Sequence, residues 1–148
     1  MKKILLGCMI ASISFLTSCE TEGCTDVDSI NYDDKADSDD GSCQYEGTQI
    51  VWYGEATSTW LINQNVTALK FYLNGNLSGS TSTDVFRTYV PDCSDNLGAV
   101  KVTLDLGGVK TQAYTLRVDA QEGTTLWNTT VNFNANTCKS TELNILSI

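Results

Sequence analysis

Residues 113–133 read AYTLRVDAQEGTTLWNTTVNF, and they show the clearest apolar pattern of the chain. Apolar side chains alternate with polar ones on both sides of a Glu122-Gly123 turn signal, at Tyr114, Leu116, Val118, Trp127, Val131 and Phe133. An apolar period of two is typical of a strand with one buried face, whereas a helix repeats about every 3.6 residues. The stretch therefore predicts two strands joined by a turn.

The same period recurs along the chain. It predicts further strands at 50–53, 59–62, 69–73 and 100–106, and a last one at Leu143 and Ile145. Asn74-Gly75 is the strongest hairpin signal. Since no stretch shows a convincing amphipathic helix, we predict an all-β fold, an antiparallel immunoglobulin-like sandwich of about seven strands.

Composition excludes several function classes. The 148 residues include 9 Lys and Arg against 18 Asp and Glu, a formal charge of −9, and no histidine. Phosphate backbones need Lys and Arg, so nucleic acid is not an expected partner. Without histidine there is no Ser-His-Asp triad, and a zinc site is disfavoured. The domain's carboxylates fall mostly in loops or on polar faces, so we predict a protein that is not an enzyme.

The first residues read as an export signal. In residues 1–18, Lys2 and Lys3 precede a short apolar run, which is too short to span a membrane. Leu16-Thr17-Ser18-Cys19 then resembles the bacterial lipobox. That resemblance implies lipidation of Cys19 and an outer-membrane anchor, with the protein facing the periplasm or the cell surface. The other interpretation is an ordinary cleaved signal whose Cys19 forms a disulfide.

Cysteine usage favours an oxidising compartment. Cys8 leaves with the signal and Cys19 would carry lipid, so four cysteines remain, and they allow three pairings. Their order along the chain favours Cys24 with Cys43 and Cys93 with Cys138. The chain-entropy model gives roughly 3 kcal/mol for the shorter loop and about 4 kcal/mol for the longer one.

Residues 19–46 form a predicted acidic tether between the signal and the sandwich at 47–148. The tether is too polar to bury a core, so its disulfide must supply much of its order. Its carboxylates suit either Ca²⁺ or tight turns. The calcium candidates are Asp26, Asp28, Asp33, Asp37, Asp39 and Asp40. No other cofactor is expected.

Two resemblances lie within the acidic segment. Gly23-Cys24-Thr25-Asp26, Asn31-Tyr32-Asp33 and Asp39-Asp40-Gly41-Ser42-Cys43 resemble a short repeat of secreted Bacteroidetes proteins. Asp28-Ser29-Ile30 resembles an O-glycosylation site of exported Bacteroidetes proteins, with Ser29 as acceptor.

The sandwich segment carries its own resemblance. Pro91-Asp92-Cys93, the strand at 127–131 and Cys138 resemble small uncharacterised Bacteroidetes lipoproteins, although Thr129 stands where that family often has glycine. Residues 114–143 are also similar to carboxypeptidase-regulatory-like and prealbumin-like sandwiches. These resemblances imply a non-catalytic module and name no ligand.

Aromatic residues are the remaining binding signal. Sugars stack on exposed rings, so Trp52, Trp60 and Tyr72 are glycan-binding candidates, while core packing is the alternative. Trp127 is expected in the core because it alternates in phase with its apolar neighbours. We therefore expect an envelope lipoprotein that serves as a binding, structural or adhesion module. Its partners would be the membrane and a glycan or another envelope protein. The alternative is a carbohydrate-binding accessory lipoprotein.

Overall fold

The structure, a computed structural model, describes residues 20–95 and 99–145. In the acidic segment, β1 (Glu22–Gly23) and β2 (Ser38–Asp39) pair in parallel. One helix, α1 (Glu55–Asn63), follows the first long strand. The other strands in the described part are β3 (Tyr45–Trp52), β4 (Ala68–Leu73), β5 (Asn76–Ser82), β6 (Val100–Gly107), β7 (Thr111–Ala120), β8 (Thr125–Asn134) and β9 (Cys138–Glu142).

Seven strands form two sheets, in the orders β6-β3-β9 and β5-β4-β7-β8. The sheets pack face to face, with β3 against β8 and β5 against β6. The predicted all-β sandwich of about seven strands is confirmed. It is not wholly antiparallel, because β9 runs parallel to β3 and pairs Cys138 with Thr48.

The residues that the predicted alternation puts on one face form the core. Phe71 and Phe133 are almost fully buried between the sheets, and Trp127 is only 2% exposed. The residues in phase with them on the same strands belong to the same cluster: Leu69, Leu73, Leu116, Val118 and Val131. Asn74 and Gly75 both have positive φ and close the β4–β5 hairpin, as their sequence predicted.

Two glycines lie where a strand of one sheet closely approaches a strand of the other. A side-chain carbon on Gly47 would lie 2.8 Å from the backbone oxygen of Asn134, and one on Gly79 would lie 2.6 Å from Val100 Cγ1. Real contacts of this kind are longer, so neither position has room for a side chain. The absence of Cβ atoms lets β3 approach β8 and lets β5 approach β6.

The strand predicted at 59–62 is wrong, because these residues belong to α1. Two of the residues that α1 buries are the small polar Thr57 and Ser58, whose hydroxyls donate to the carbonyls of Leu143 and Thr83. A helix face built from hydroxyl residues gives no apolar period in the sequence. The last strand is also displaced: β9 ends at Glu142, one residue before the predicted Leu143.

A loop at 84–95 is attached to the three-stranded sheet. The Arg87 amide donates to the Tyr53 carbonyl at 3.0 Å, and Lys101 Nζ donates to the Cys93 carbonyl at 2.8 Å. The predicted disulfide joins Cys93 to Cys138 at the start of β9. The loop is thus held at both ends against the sheet.

Candidate functional site

The acidic segment is folded against the sandwich. Lys110 Nζ lies 2.6 Å from the Asp26 carboxylate and 3.2 Å from Asp28, and the Tyr45 hydroxyl donates to Asp26 at 2.8 Å. The hydrogen bond from Lys110 holds the pKa of Asp26 below its ordinary 3.8, and the same bond raises the pKa of Lys110. Ionised Asp26 therefore favours the docked position of the segment.

This segment is ordered close to its beginning. The Thr21 carbonyl accepts the Asp37 amide at 2.8 Å, and the predicted disulfide joins Cys24 to Cys43, both buried in the same cluster as the sandwich core. β3 begins at Tyr45, two residues before the predicted boundary at Gly47. The predicted tether is thus a folded extension of the sandwich.

Most of the candidate calcium ligands close turns. The side chains of Asp33, Asp39 and Asp40 each accept the backbone amide two residues ahead, all at 2.9 Å. Asp26 does the same for Asp28 at 3.1 Å. Within residues 20–95 and 99–145, no group of three acidic or cysteine side chains is arranged to hold a metal ion. Calcium binding by these residues and Asp37 stays a prediction.

The candidate glycosylation site borders a cleft. The Ser29 hydroxyl donates to the Asp26 carbonyl at 2.8 Å and lies 2.8 Å from Cys24 Sγ. It lies beside a cleft of about 350 Å³ between the acidic segment and the three-stranded sheet. Modification of Ser29 would have to release this hydroxyl, and it stays a prediction. Cys19 lies outside the described residues.

The glycan-binding set is not brought together. Trp52 is only 6% exposed and points to the outer side of the three-stranded sheet, out of phase with the core residue Val51. Trp60 on α1 is partly buried against the core. Tyr72 lies on the outer side of the other sheet, with the Arg117 guanidinium 4.5 Å from its ring centre. Trp52 is therefore too buried to stack on a sugar, and glycan binding by Trp60 and Tyr72 stays a prediction.

The outer face of the four-stranded sheet carries polar side chains that contact one another. Arg117 Nε lies 3.2 Å from Asp119, whose carboxylate also accepts the Thr125 hydroxyl at 2.8 Å. Asp119 is 5% exposed, and its ion pair with Arg117 holds the guanidinium over the Tyr72 ring. The face therefore presents the Arg117 guanidinium held beside the Tyr72 ring.

A groove opens between the edges of the two sheets, along β8 and β9. Its volume is about 280 Å³, and it is lined by Trp127, Asn128, Thr129, Thr141, Glu142, Leu143 and Asn144. The Trp127 indole is anchored by donating to the Asn144 carbonyl at 3.1 Å. Glu142 is the one ionisable residue of this lining.

Sequence reasoning identified none of the residues of this groove as a site. The available signal was the run at 125–134, ten residues without a charge. Such a run predicts a strand, but sequence alone does not say that the strand lies at the edge of its sheet.

Compared with known proteins, the chain matches no family model, no curated protein and no solved structure. In the described part of the chain, no helix is long and apolar enough to cross a membrane.

Proposed function

We propose that this chain is a non-catalytic envelope lipoprotein, anchored through Cys19, whose sandwich is a binding, structural or adhesion module. One observation carries the proposal: the lipobox-like Leu16–Cys19 ends two residues before Thr21, whose carbonyl accepts the Asp37 amide. In this proposal the folded module follows the lipid attachment point almost directly. The resemblance to small Bacteroidetes lipoproteins supports the same function.

The disulfides support export. Bridges of this kind persist in oxidising compartments, and the acidic segment has little apolar material to hold it together otherwise. The Cys24–Cys43 bridge secures the acidic segment. The Cys93–Cys138 bridge attaches the loop at 84–95 to the three-stranded sheet. Both features suit a protein of the outer membrane that faces the periplasm or the cell surface.

The proposed anchor would hold the acidic segment close to the membrane surface. Two residues of extended chain reach at most about 7 Å, so Thr21 would stay within that distance of Cys19. The acidic segment then lies next to the lipid headgroups, and the groove and sheet faces of the sandwich are presented beyond it. Several acyl chains on one cysteine anchor stably, because each buried CH₂ contributes about 0.8 kcal/mol.

The test is metabolic labelling with a fatty acid, followed by membrane fractionation. Wild-type protein should incorporate the label and sediment with membranes, and Cys19→Ala should lose both properties. Cys8→Ala is the matched control, since it changes a cysteine within the signal and should behave as wild type. Equal sedimentation of the Cys19→Ala and wild-type proteins would refute the proposal.

A further inference from the structure

The two disulfides differ in their access to solvent. Cys24 and Cys43 are 1% and 7% exposed and belong to the core cluster, whereas Cys138 is exposed and Cys93 is partly exposed. A disulfide is cleaved by direct attack of a thiolate on one of its sulfurs, so the rate depends on access to that sulfur. The Cys93–Cys138 bridge is therefore the one that a thiol can reach in the folded protein.

The cleft between the acidic segment and the three-stranded sheet leads to this bridge. Its volume is about 350 Å³, and Cys138 is part of its lining together with Thr48 and Glu46. Cys138 lies opposite Thr48 in the pairing of β9 with β3. Glu46 points to the same side of β3 as Thr48, because side chains two residues apart on a strand share a face. A small thiol that enters the cleft thus comes next to Cys138 and to a carboxylate.

The charge of the cleft selects among thiols. Apart from Cys138, its ionisable lining residues are Asp28 and Glu46. Lys110 Nζ lies 3.2 Å from the Asp28 carboxylate and offsets its charge. Among residues 20–95 and 99–145, no side chain forms an ion pair with Glu46. An unpaired carboxylate attracts a positively charged thiol and repels a negatively charged one.

The charge next to Cys93 favours this cysteine as the leaving group. Lys101 Nζ donates to the Cys93 carbonyl at 2.8 Å, which holds an ammonium group beside that residue. A neighbouring cation stabilises a thiolate, and a more stable thiolate leaves faster. The carboxylates of the loop itself, Asp92 and Asp95, each accept a backbone amide of the loop. Access and charge therefore both favour attack on Cys138.

We propose that the Cys93–Cys138 bridge is a thiol-exchange site for a thiol that carries a positive charge near its sulfur. The thiolate of that molecule bonds to Cys138 Sγ, the bond between the two cysteines breaks, and its electron pair leaves on Cys93 Sγ, which takes a proton from water. The product is a mixed disulfide at Cys138 and a loop at 84–95 that is no longer covalently attached to β9. The inference goes beyond the proposed function and does not depend on a lipid at Cys19.

The experiment uses the full chain in detergent and two small thiols, the cationic 2-aminoethanethiol and the anionic 2-mercaptoethanesulfonate. Timed samples are alkylated with N-ethylmaleimide and mapped by peptide mass spectrometry. At early times the cationic thiol should be found on Cys138 and the alkyl group on Cys93, while Cys24–Cys43 stays intact. The same maps report Cys19 separately, so failure of the proposed lipid anchor is distinguishable from failure of the exchange.

Two pairs of variants separate the contributions. Glu46→Gln should lower the ratio of the cationic to the anionic rate about twofold or more, and the ratio cancels the difference in intrinsic reactivity between the two thiols. Glu122→Gln, in the turn at the other end of β8, is the matched control and should leave the ratio unchanged. With the neutral 2-mercaptoethanol, Lys101→Gln should slow exchange about threefold, and Lys101→Arg should not.

Three results would overturn the proposal. The first is reaction of both bridges at the same rate, which would mean that exchange follows unfolding of the whole chain. The second is an adduct on Cys93 in place of Cys138. The third is a ratio of cationic to anionic rates that is the same in Glu46→Gln, Glu122→Gln and wild type.

Discussion

Replacing Gly47 by alanine should destabilise the sandwich at a point where a strand of one sheet closely approaches a strand of the other. The added carbon would lie 2.8 Å from the Asn134 oxygen and 3.1 Å from the Asn134 nitrogen and from Phe133 Cβ. Two of these three atoms are backbone and cannot move away by a side-chain rotation. Overpacking of this kind costs about 1–3 kcal/mol.

The same substitution also restricts the unfolded chain, which stabilises the protein by about 0.4–1 kcal/mol. The net loss for Gly47→Ala is therefore about 1–2 kcal/mol. For a domain of this size we expect the melting temperature to fall by about 4 °C per kcal/mol.

Gly108→Ala is the matched control for this prediction. Its added carbon would lie 3.9 Å from the Cys43 oxygen, an ordinary contact, so only the effect on the unfolded chain remains. We expect an unchanged or slightly raised melting temperature. Thermal unfolding followed by circular dichroism compares the two variants directly. A Gly47→Ala protein as stable as Gly108→Ala would refute the close packing of β3 on β8.

Three further predictions concern charge and covalent structure. Because the folded pKa of Asp26 lies below its ordinary 3.8, its contribution to docking is present above pH 3.8 and is lost as the pH falls through the folded pKa. Amide exchange in the acidic segment should rise there, and Lys110→Met should raise it already at neutral pH. Removing the second bridge with Cys93→Ser and Cys138→Ser should cost up to about 4 kcal/mol. Thermal unfolding of the double variant beside wild type measures this loss, and an unchanged melting temperature would contradict it. Burial raises the pKa of Tyr53 to about 12, so its neutral form stabilises the fold below pH 10 and that contribution is lost as the pH rises through 12. Alkaline absorbance titration should show a late tyrosine step that is missing in Tyr53→Phe.

The sequence predicts strands well wherever one face is apolar. Leu69, Phe71 and Leu73 lie in phase on one side of β4, and the core positions of β7 and β8 follow the predicted phase. The order of the cysteines also predicted both bridges, because each pair encloses one compositionally distinct stretch.

Other elements have no local sequence pattern that would predict them. Helix α1 buries hydroxyl residues whose partners, the carbonyls of Thr83 and Leu143, lie far along the chain. The parallel pairing of β9 with β3 is likewise set by distant contacts, and β9 has no apolar alternation to reveal it. Short apolar patterns cannot encode such pairings.

Site predictions depend on solvent exposure, which is decided by tertiary contacts. Trp52 lies in the unbroken apolar run 50–53, which does not show whether the residue is exposed, and the structure leaves it only 6% exposed. Lys110 gives no sequence signal, although it binds the carboxylates of both Asp26 and Asp28. Four of the candidate aspartates, Asp26, Asp33, Asp39 and Asp40, close turns, which is one of the two roles that their sequence predicts, and calcium binding stays a prediction.

The central proposal is lipid anchoring at Cys19, and intact mass spectrometry of the protein extracted from membranes tests it most directly. The proposal predicts a chain that begins at Cys19, retains Cys24–Cys43 and Cys93–Cys138, and carries the additional mass of a diacylglycerol and an acyl chain. A chain without the lipid mass, whether it begins at Met1 or after Ser18, would contradict it.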